Sequence, residues 1–290
     1  MARAPHRSSP AALIFGCGYV GLALARSLTA AGWQVAGTAR SSASRADVAA
    51  AGALSLALED EAVAGWLGQA RLVVGSIPPD GDGDPAVRLW QQALEGRPAD
   101  GHAVYLSTTG VYGDRAGRWA FEDEPPTPAS PEASRRVVAE RQWLALPGPV
   151  SVLRLPGIYG PGRSALDQLR AGTARAVVKP GQVFSRIHRD DIVAAAMALT
   201  GRPQAAGIFN LADDEPAPPH LVTLEAARLL GLPAPPLQPF EAGALSPMAQ
   251  RFWSECKRVP NARAKARLGW RPLYPTYREG LAACMAAQRT

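Results

Sequence analysis

Three glycines carry the first chemistry legible in this chain. Gly16, Gly18 and Gly21 stand in the spacing G-x-G-x-x-G, and each has a separate physical task. Gly16 permits a tight turn. Gly18, lacking a Cβ, lets a pyrophosphate come up to the backbone, and Gly21 lets a following helix pack close to a strand. Phosphates held there rest on N–H groups at a helix N-terminus, where the dipole favours negative charge. The turn Gly16, Cys17, Gly18, Tyr19, Val20 and Gly21 is therefore a candidate cofactor site, with Cys17 read as a small buried residue and not a redox thiol. Arg40 closes the next apolar segment, with Ser41, Ser42 and Arg45 close behind. A site selective for a free ribose 2′-hydroxyl usually has an acid at that place, whereas an arginine and a hydroxyl suit a 2′-phosphate. The expected cofactor is NADP, with NAD as the alternative.

The elements needed to position these residues follow in order. An apolar run over Ala11–Phe15 has strand length, Leu22–Ala31 reads as a helix stopped by Gly32, and Gln34–Gly37 is a second strand. The alternation continues. Helices are predicted over Ser42–Ala51, Ala62–Gly68, Pro85–Leu94 and Pro131–Leu146. Strands are predicted over Ala53–Leu58, Leu72–Ile77, Ala103–Ser107 and Val150–Leu155. Strands joined by helices, apolar on both faces, predict an α/β fold with a doubly wound parallel sheet (Rossmann) and ligands at the carboxyl ends of the strands. The later half changes character, with proline clusters at Pro216–Pro219 and Pro233–Pro239 around a helix at Leu221–Leu230. It reads as a smaller C-terminal lobe capping the substrate. The expected organisation is a disordered tail over 1–10, a dinucleotide-binding domain over 11–165, and a mixed capping lobe over 166–290, of which 185–215 returns to the sheet.

Composition narrows the class. The net charge of +6 is carried almost wholly by arginine, since Lys179, Lys257 and Lys265 are the only lysines. The arginines are interleaved with acids and form no basic stripe, so nucleic acid is not an expected partner. No apolar run approaches the roughly 20 residues that a membrane helix requires, and the basic, Ser/Pro-containing start lacks the apolar segment of a signal peptide. A cytoplasmic protein with a small-molecule substrate is expected, and a homodimer is admitted. Cys17, Cys256 and Cys284 are far apart, which argues against structural zinc or a disulfide framework. The D-G-D-G-D run at Asp80–Asp84 lacks the bidentate Glu that an EF-hand places after it, so a solvated turn is expected and no metal site.

Five stretches together resemble one family. Beside the glycine turn, Tyr105–Gly113 (YLSTTGVYG) is similar to the strand of extended short-chain dehydrogenases/reductases that carries a catalytic Ser/Thr. Arg154–Gly162 (RLPGIYGPG) resembles their R-x-x-x-x-Y-G-P-G stretch. Arg186–Ile192 (RIHRDDI) resembles their H-x-x-D segment, and Ile208–Pro216 (IFNLADDEP) their F/Y-N-x-A-D-x-x-P strand and loop. The resemblance, to the NAD-dependent epimerase/dehydratase type, runs from about residue 11 to about 285. It implies a nicotinamide cofactor, hydride transfer to a polar carbonyl or sugar-like substrate, and cofactor contacts at Ser76, Ile77 and Pro156. The family's chemistry needs a Tyr with a Lys four residues on, the Lys lowering the phenol pKa. None of the six tyrosines here has that Lys. The resemblance sets Glu132 at the Tyr position and Arg136 at the Lys position. An arginine orients a ribose but does not trade a proton, so the chain resembles the atypical branch that keeps the cofactor site without the usual pair.

Candidate roles follow. Thr108 falls where the family's Ser/Thr hydrogen-bonds the reacting oxygen, or else caps the loop. Tyr112 and Tyr159 lie just past strand ends; each either supplies the missing phenol or is a packed aromatic with its hydroxyl bonded. His188 either faces substrate or packs at a helix start, and Asp190 reads as that helix's N-cap. Asp213 and Asp214 read as turn formers. Arg258, with Arg263, either pairs with a phosphorylated substrate or lies on a solvated helix face. Two functions remain open: an NADP-dependent oxidoreductase or epimerase/dehydratase-type enzyme with non-standard catalytic residues, and a non-catalytic NADP(H)-binding sensor or scaffold.

Overall fold

Apolar runs buried on both faces became the middle of a sheet. A computed structural model describes residues 9–244 and 247–288; most of the expected disordered tail, residues 1–8, lies outside the described residues. The elements are β1 (Ala11–Phe15), α1 (Tyr19–Ala30), β2 (Gln34–Thr38), α2 (Ser42–Ala50), β3 (Leu54–Leu56), α3 (Ala62–Leu67), β4 (Ala70–Gly75), α4 (Pro85–Glu95), β5 (His102–Thr108), α5 (Pro131–Leu144) and β6 (Val150–Leu155). There follow β7 (Gly157–Tyr159), α6 (Ala165–Arg170), β8 (Ala176–Val178), β9 (Arg186–His188), α7 (Arg189–Leu199), β10 (Gly207–Asn210), α8 (Pro219–Leu230), β11 (Leu237–Pro239), α9 (Pro247–Ser254), α10 (Ala262–Leu268) and α11 (Tyr277–Ala286).

Seven strands form one sheet in the order β10-β6-β5-β4-β1-β2-β3. The pairs β1–β2, β1–β4, β2–β3 and β4–β5 are parallel, with Ile14 beside Gly37 on one side and Val74 on the other. This is the doubly wound α/β arrangement that the alternation predicts. The chain runs outward from β1 to β3, then returns to β4 on the other side. The order therefore reverses between β1 and β4, the point where such sheets open a crevice at their carboxyl ends. β10 falls within 185–215 and completes the sheet.

The chain divides into two compact units. The first runs to Leu106 and adds Val138–Val152 and Ala196–Gly207. The second comprises Ser107–Val137, Leu153–Ala195 and the chain from Ile208. In the first, Ala12–Phe15 and Leu72–Val74 have no solvent exposure. In the second, Leu166, Ala226, Tyr277, Leu281 and Cys284 form a core that gathers α6, α8 and α11. This second unit also holds two short parallel pairs, β7–β9 and β8–β11.

Close packing in the first unit explains two glycines outside the G-x-G-x-x-G turn. A Cβ on Gly75 would lie 2.3 Å from the indole of Trp143, which is wholly buried and stacks on Tyr105 with centroids 5.8 Å apart. The same indole Nε1 donates to Asp84 Oδ2 at 2.9 Å. Asp84 caps α4, its Oδ1 accepting from the Ala86 and Val87 N–H groups at 2.8 and 3.3 Å. The acidic loop expected to be a solvated turn is thus only partly so: Asp82 is exposed, whereas Asp84 is a buried cap. At Gly37 a Cβ would meet Cys17 Sγ at 2.3 Å. Among the described residues no group of three or more His, Cys, Asp or Glu is placed to hold a metal, and no helix is long and apolar enough to cross a membrane.

Candidate active site

The glycine turn has the shape its spacing implies. Gly16 adopts φ +89°, a left-handed backbone that side chains rarely tolerate. A Cβ on Gly21 would sit 2.6 Å from the Gly16 carbonyl oxygen, so only glycine lets α1 start this close to the turn. Gly18 is the N-cap of α1 and brings no capping side chain. Nothing lies within 4 Å of the place its Cβ would occupy. An uncapped helix start below an open glycine is a cradle for an anion.

Neighbouring strands hold that cradle in place. The Thr38 hydroxyl accepts from Gly16 N–H at 3.0 Å, and the Thr38 carbonyl accepts from Cys17 N–H at 2.9 Å. Thr38 was missed in the sequence; a hydroxyl closing β2 opposite the turn was the available signal. On the other side Ser76 N–H donates to the Phe15 carbonyl at 2.8 Å. The would-be Cβ of Gly16 meets Ile77 at 3.0 Å. Gly16 through Gly21, Ser76 and Ile77 therefore converge at the switch point between β1 and β4, with Ser76 and Ile77 half-buried. Cys17 is buried, and desolvation pushes its thiol up to about 12, which leaves it unreactive. Tyr19 is half-buried and Val20 buried in the first turn of α1. Arg40 stands exposed just past β2. Ser41 caps α2, its hydroxyl accepting from Ser44 N–H at 3.2 Å. These features fit a nicotinamide dinucleotide: pyrophosphate at Gly18, adenosine ribose toward Arg40 and Ser41.

The residues expected to do chemistry fall in the second unit, and the structure sorts them. Thr108 caps the 3₁₀ turn Thr109–Tyr112, its oxygen accepting from Gly110 N–H at 3.1 Å. Its own O–H proton has no acceptor among the described residues. Gly110 brings this turn against Ala133 in the first turn of α5. Glu132 is exposed in that turn and Arg136 half-buried one turn on, so Thr108 and the Glu132–Arg136 pair share one neighbourhood. Pro156 is half-buried between β6 and β7.

Tyr112 is a packed aromatic and not a free phenol. It has no exposure, and its hydroxyl donates to Asn210 Oδ1 at 2.8 Å. The Arg154 guanidinium lies 4.8 Å from its ring centroid. Asn210 N–H in turn donates to Glu122 Oε1 at 3.0 Å, and Asn210 Nδ2 to the Ala120 carbonyl at 3.1 Å. Burial pushes the phenol up to about 12. Tyr159 is likewise sealed. Its hydroxyl packs against Gly280 of α11, where any Cβ would overlap it, and burial raises its pKa.

Of its two readings, His188 takes the packed one at a helix start. It is 1% exposed, lies 3.5 Å from Cys284 Sγ through Nε2, and meets the rings of Tyr159 and Tyr274 edge-on. Desolvation pulls its pKa down to about 4. Its Nδ1 accepts from Asp190 N–H at 3.2 Å, so the ring does the capping expected of Asp190, which lies inside the first turn of α7. Arg258 is tied to a loop, its Nη1 donating to the Gly117 carbonyl, while Arg263 lies 3.7 Å from Glu122 and 3.6 Å from Asp123. Asp213 Oδ1 accepts from Glu215 N–H at 3.3 Å, the turn expected of it. A cleft of about 760 Å³ opens elsewhere in this unit, lined by Tyr159, Phe184, Arg186 and Tyr277 among others. Of these only Tyr159 had been singled out as a site residue.

No family model matches the chain. A solved structure of a functionally unknown conserved protein from Silicibacter pomeroyi DSS is 42% identical, with a TM-score of 0.88 over 96% of this chain and 99% of that one. A putative NAD-dependent epimerase/dehydratase from Methylobacillus flagellatus is 30% identical, with a TM-score of 0.70 over 98% of this chain and 100% of its own. Among curated proteins, a Streptomyces 3-diazoavenalumate denitrifying reductase is 34% identical over 162 residues, which are 51% of this chain and 52% of the reductase; the matched stretch spans about half of that protein's length. Sheet order, glycine cradle and near-complete coverage agree: this chain belongs to the NAD-dependent epimerase/dehydratase family of extended short-chain dehydrogenases/reductases.

Proposed function

We propose that this protein is an NADP-dependent oxidoreductase, or an epimerase/dehydratase-type enzyme, acting on a polar carbonyl or sugar-like substrate. The observation that carries the reading is the open Gly18 above an uncapped helix start, with Arg40 exposed at the end of β2. The bound dinucleotide supplies or accepts a hydride. Arg40 and the Ser41 hydroxyl at the α2 terminus select a 2′-phosphate, through charge-assisted hydrogen bonds. Thr108, with its O–H proton unused, donates to the reacting oxygen. Arg136 supplies fixed positive charge, and Glu132, exposed in the first turn of α5, serves as acid or base. The reductase named among the relatives supports redox turnover.

A second reading rests on one observation: both candidate phenols, Tyr112 and Tyr159, are buried. A chain that binds NADP(H) without turnover, as a sensor or scaffold, needs no acid at all. Titration with NADPH and NADH followed by a panel of aldehydes, ketones and keto-sugars separates the two. Oxidation of NADPH by any member, lost in Thr108→Val, establishes the enzyme. Tight NADPH binding with no oxidation across the panel establishes the sensor.

A further inference from the structure

The cleft in the second unit combines aromatic side chains with arginines. Its volume of about 760 Å³ is that of a small-molecule site. Phe184, Phe252 and Trp253 make an aromatic wall: Phe184 stacks on Phe252 with centroids 4.3 Å apart and meets Trp253 edge-on at 5.4 Å. Phe252 is 53% exposed, so that face is open to a partner.

Arg186 lines the same cleft. Its Nη1 is fixed by the carbonyls of Phe184 and Ala217, at 2.7 and 3.1 Å. Its Nε and Nη2 have no hydrogen-bond partner among the described residues, and no carboxylate there forms an ion pair with it. Asp213 acts on Arg186 electrostatically but makes neither a hydrogen bond nor an ion pair with it among the described residues. Asp167, the carboxylate among the lining residues, accepts instead from Ser164 N–H and Oγ and from Gln288. A half-buried guanidinium with two unused donor positions gains charge-assisted hydrogen bonds from an entering anion. One fixed planar fork matches one carboxylate. A diphosphate calls for several fixed cations, and the other two arginines that line the cleft, Arg163 and Arg175, are both exposed.

We propose that this cleft takes an aromatic carboxylate, its carboxylate on Arg186 and its ring against Phe184 and Phe252. This names the substrate class for the oxidoreductase reading above and rests on it: a carbonyl compound that also carries a ring and an acid group.

The test is calorimetric titration of the full chain with trans-cinnamate, cinnamyl alcohol and uridine diphosphate. Cinnamate should bind about tenfold more tightly than the alcohol or the diphosphate, and Arg186→Gln should erase that advantage. Phe252→Ala, on an exposed ring, should weaken cinnamate about threefold with the circular dichroism unchanged. The comparison of acid with alcohol uses the unaltered chain, so it holds even if Arg186→Gln does not fold. Equal binding of acid and alcohol, tighter binding of the diphosphate, or no binding by any of them overturns the assignment. NADPH titrated into the same samples keeps the two readings apart. NADPH binding without acid-over-alcohol preference overturns the cleft assignment alone. The preference without NADPH binding overturns the dinucleotide reading and leaves the cleft assignment standing.

Discussion

Arg40 is the residue on which cofactor choice turns. It is exposed and carries no hydrogen bond among the described residues, so changing it leaves the packing of β2 intact. Arg40→Asp is expected to weaken NADPH binding about tenfold and to spare NADH, since it exchanges a phosphate partner for a ribose partner. Fluorescence titration of both cofactors reads this, and an equal loss for the two would remove the 2′-phosphate argument. At this scale the sequence located residues better than it assigned their roles. Tyr112, Tyr159 and His188 were singled out because each sits beside a strand end. Which way each ring turned was decided by partners distant in the chain: Asn210 for Tyr112, Gly280 for Tyr159, Cys284 and Tyr274 for His188. Arg186 escaped notice for the matching reason, because its fixing carbonyls include Ala217, in a distant loop.

The element that best matched expectation is the strand–turn–helix at β1 and α1. β1 and β6 have the bounds that their apolar runs predict, because strands buried on both faces leave no ambiguity of period. α1 begins at Tyr19 instead of Leu22, because Gly18 is its N-cap and Gly21 lies inside its first turn. Gly18 also offers an unusually clean experiment. Its φ of −84° is one that any residue adopts, and the space for a side chain is empty. Gly18→Val is therefore expected to fold, with Tm lowered by a few degrees because valine is a poorer N-cap than glycine, and to lose NADPH binding by at least about a hundredfold, the valine taking the pyrophosphate's place. Retained affinity in the calorimeter would mean that phosphates do not approach there. The short strands β7, β8, β9 and β11 were not legible as strands. Each is three residues long, too short to show a period, and exists through its pairing partner.

For the whole molecule, the buried ionisable groups set how stability depends on pH. Asp213, raised by burial to about 8, holds a proton in the folded chain that the unfolded chain has released above its ordinary value of 3.8. Its contribution is complete below that value and is lost as pH rises through 8, with a limiting slope of about 1.4 kcal/mol per pH unit. His102 and His188 act in the opposite sense. Burial lowers both to about 4, so their contribution is complete above 6.5 and lost as pH falls toward 4. Asp191, raised to about 6, titrates inside that acid window. Tm should therefore fall between pH 6.5 and 8.5, and Asp213→Asn should flatten that fall; parallel profiles for the two proteins in a calorimetric series would exclude Asp213 as its source. The alternation of strands and helices made the sheet legible, whereas the composition of the second unit did not, because its segments come from both sides of residue 165. One close contact in the first unit bears on how such a chain can change over generations. Cys17 Sγ fills the space that any side chain at Gly37 would need. A larger residue at 37 requires the Cys17 thiol to turn aside or a smaller residue to stand at 17. The two positions, twenty apart in the chain, thus limit what each other can hold.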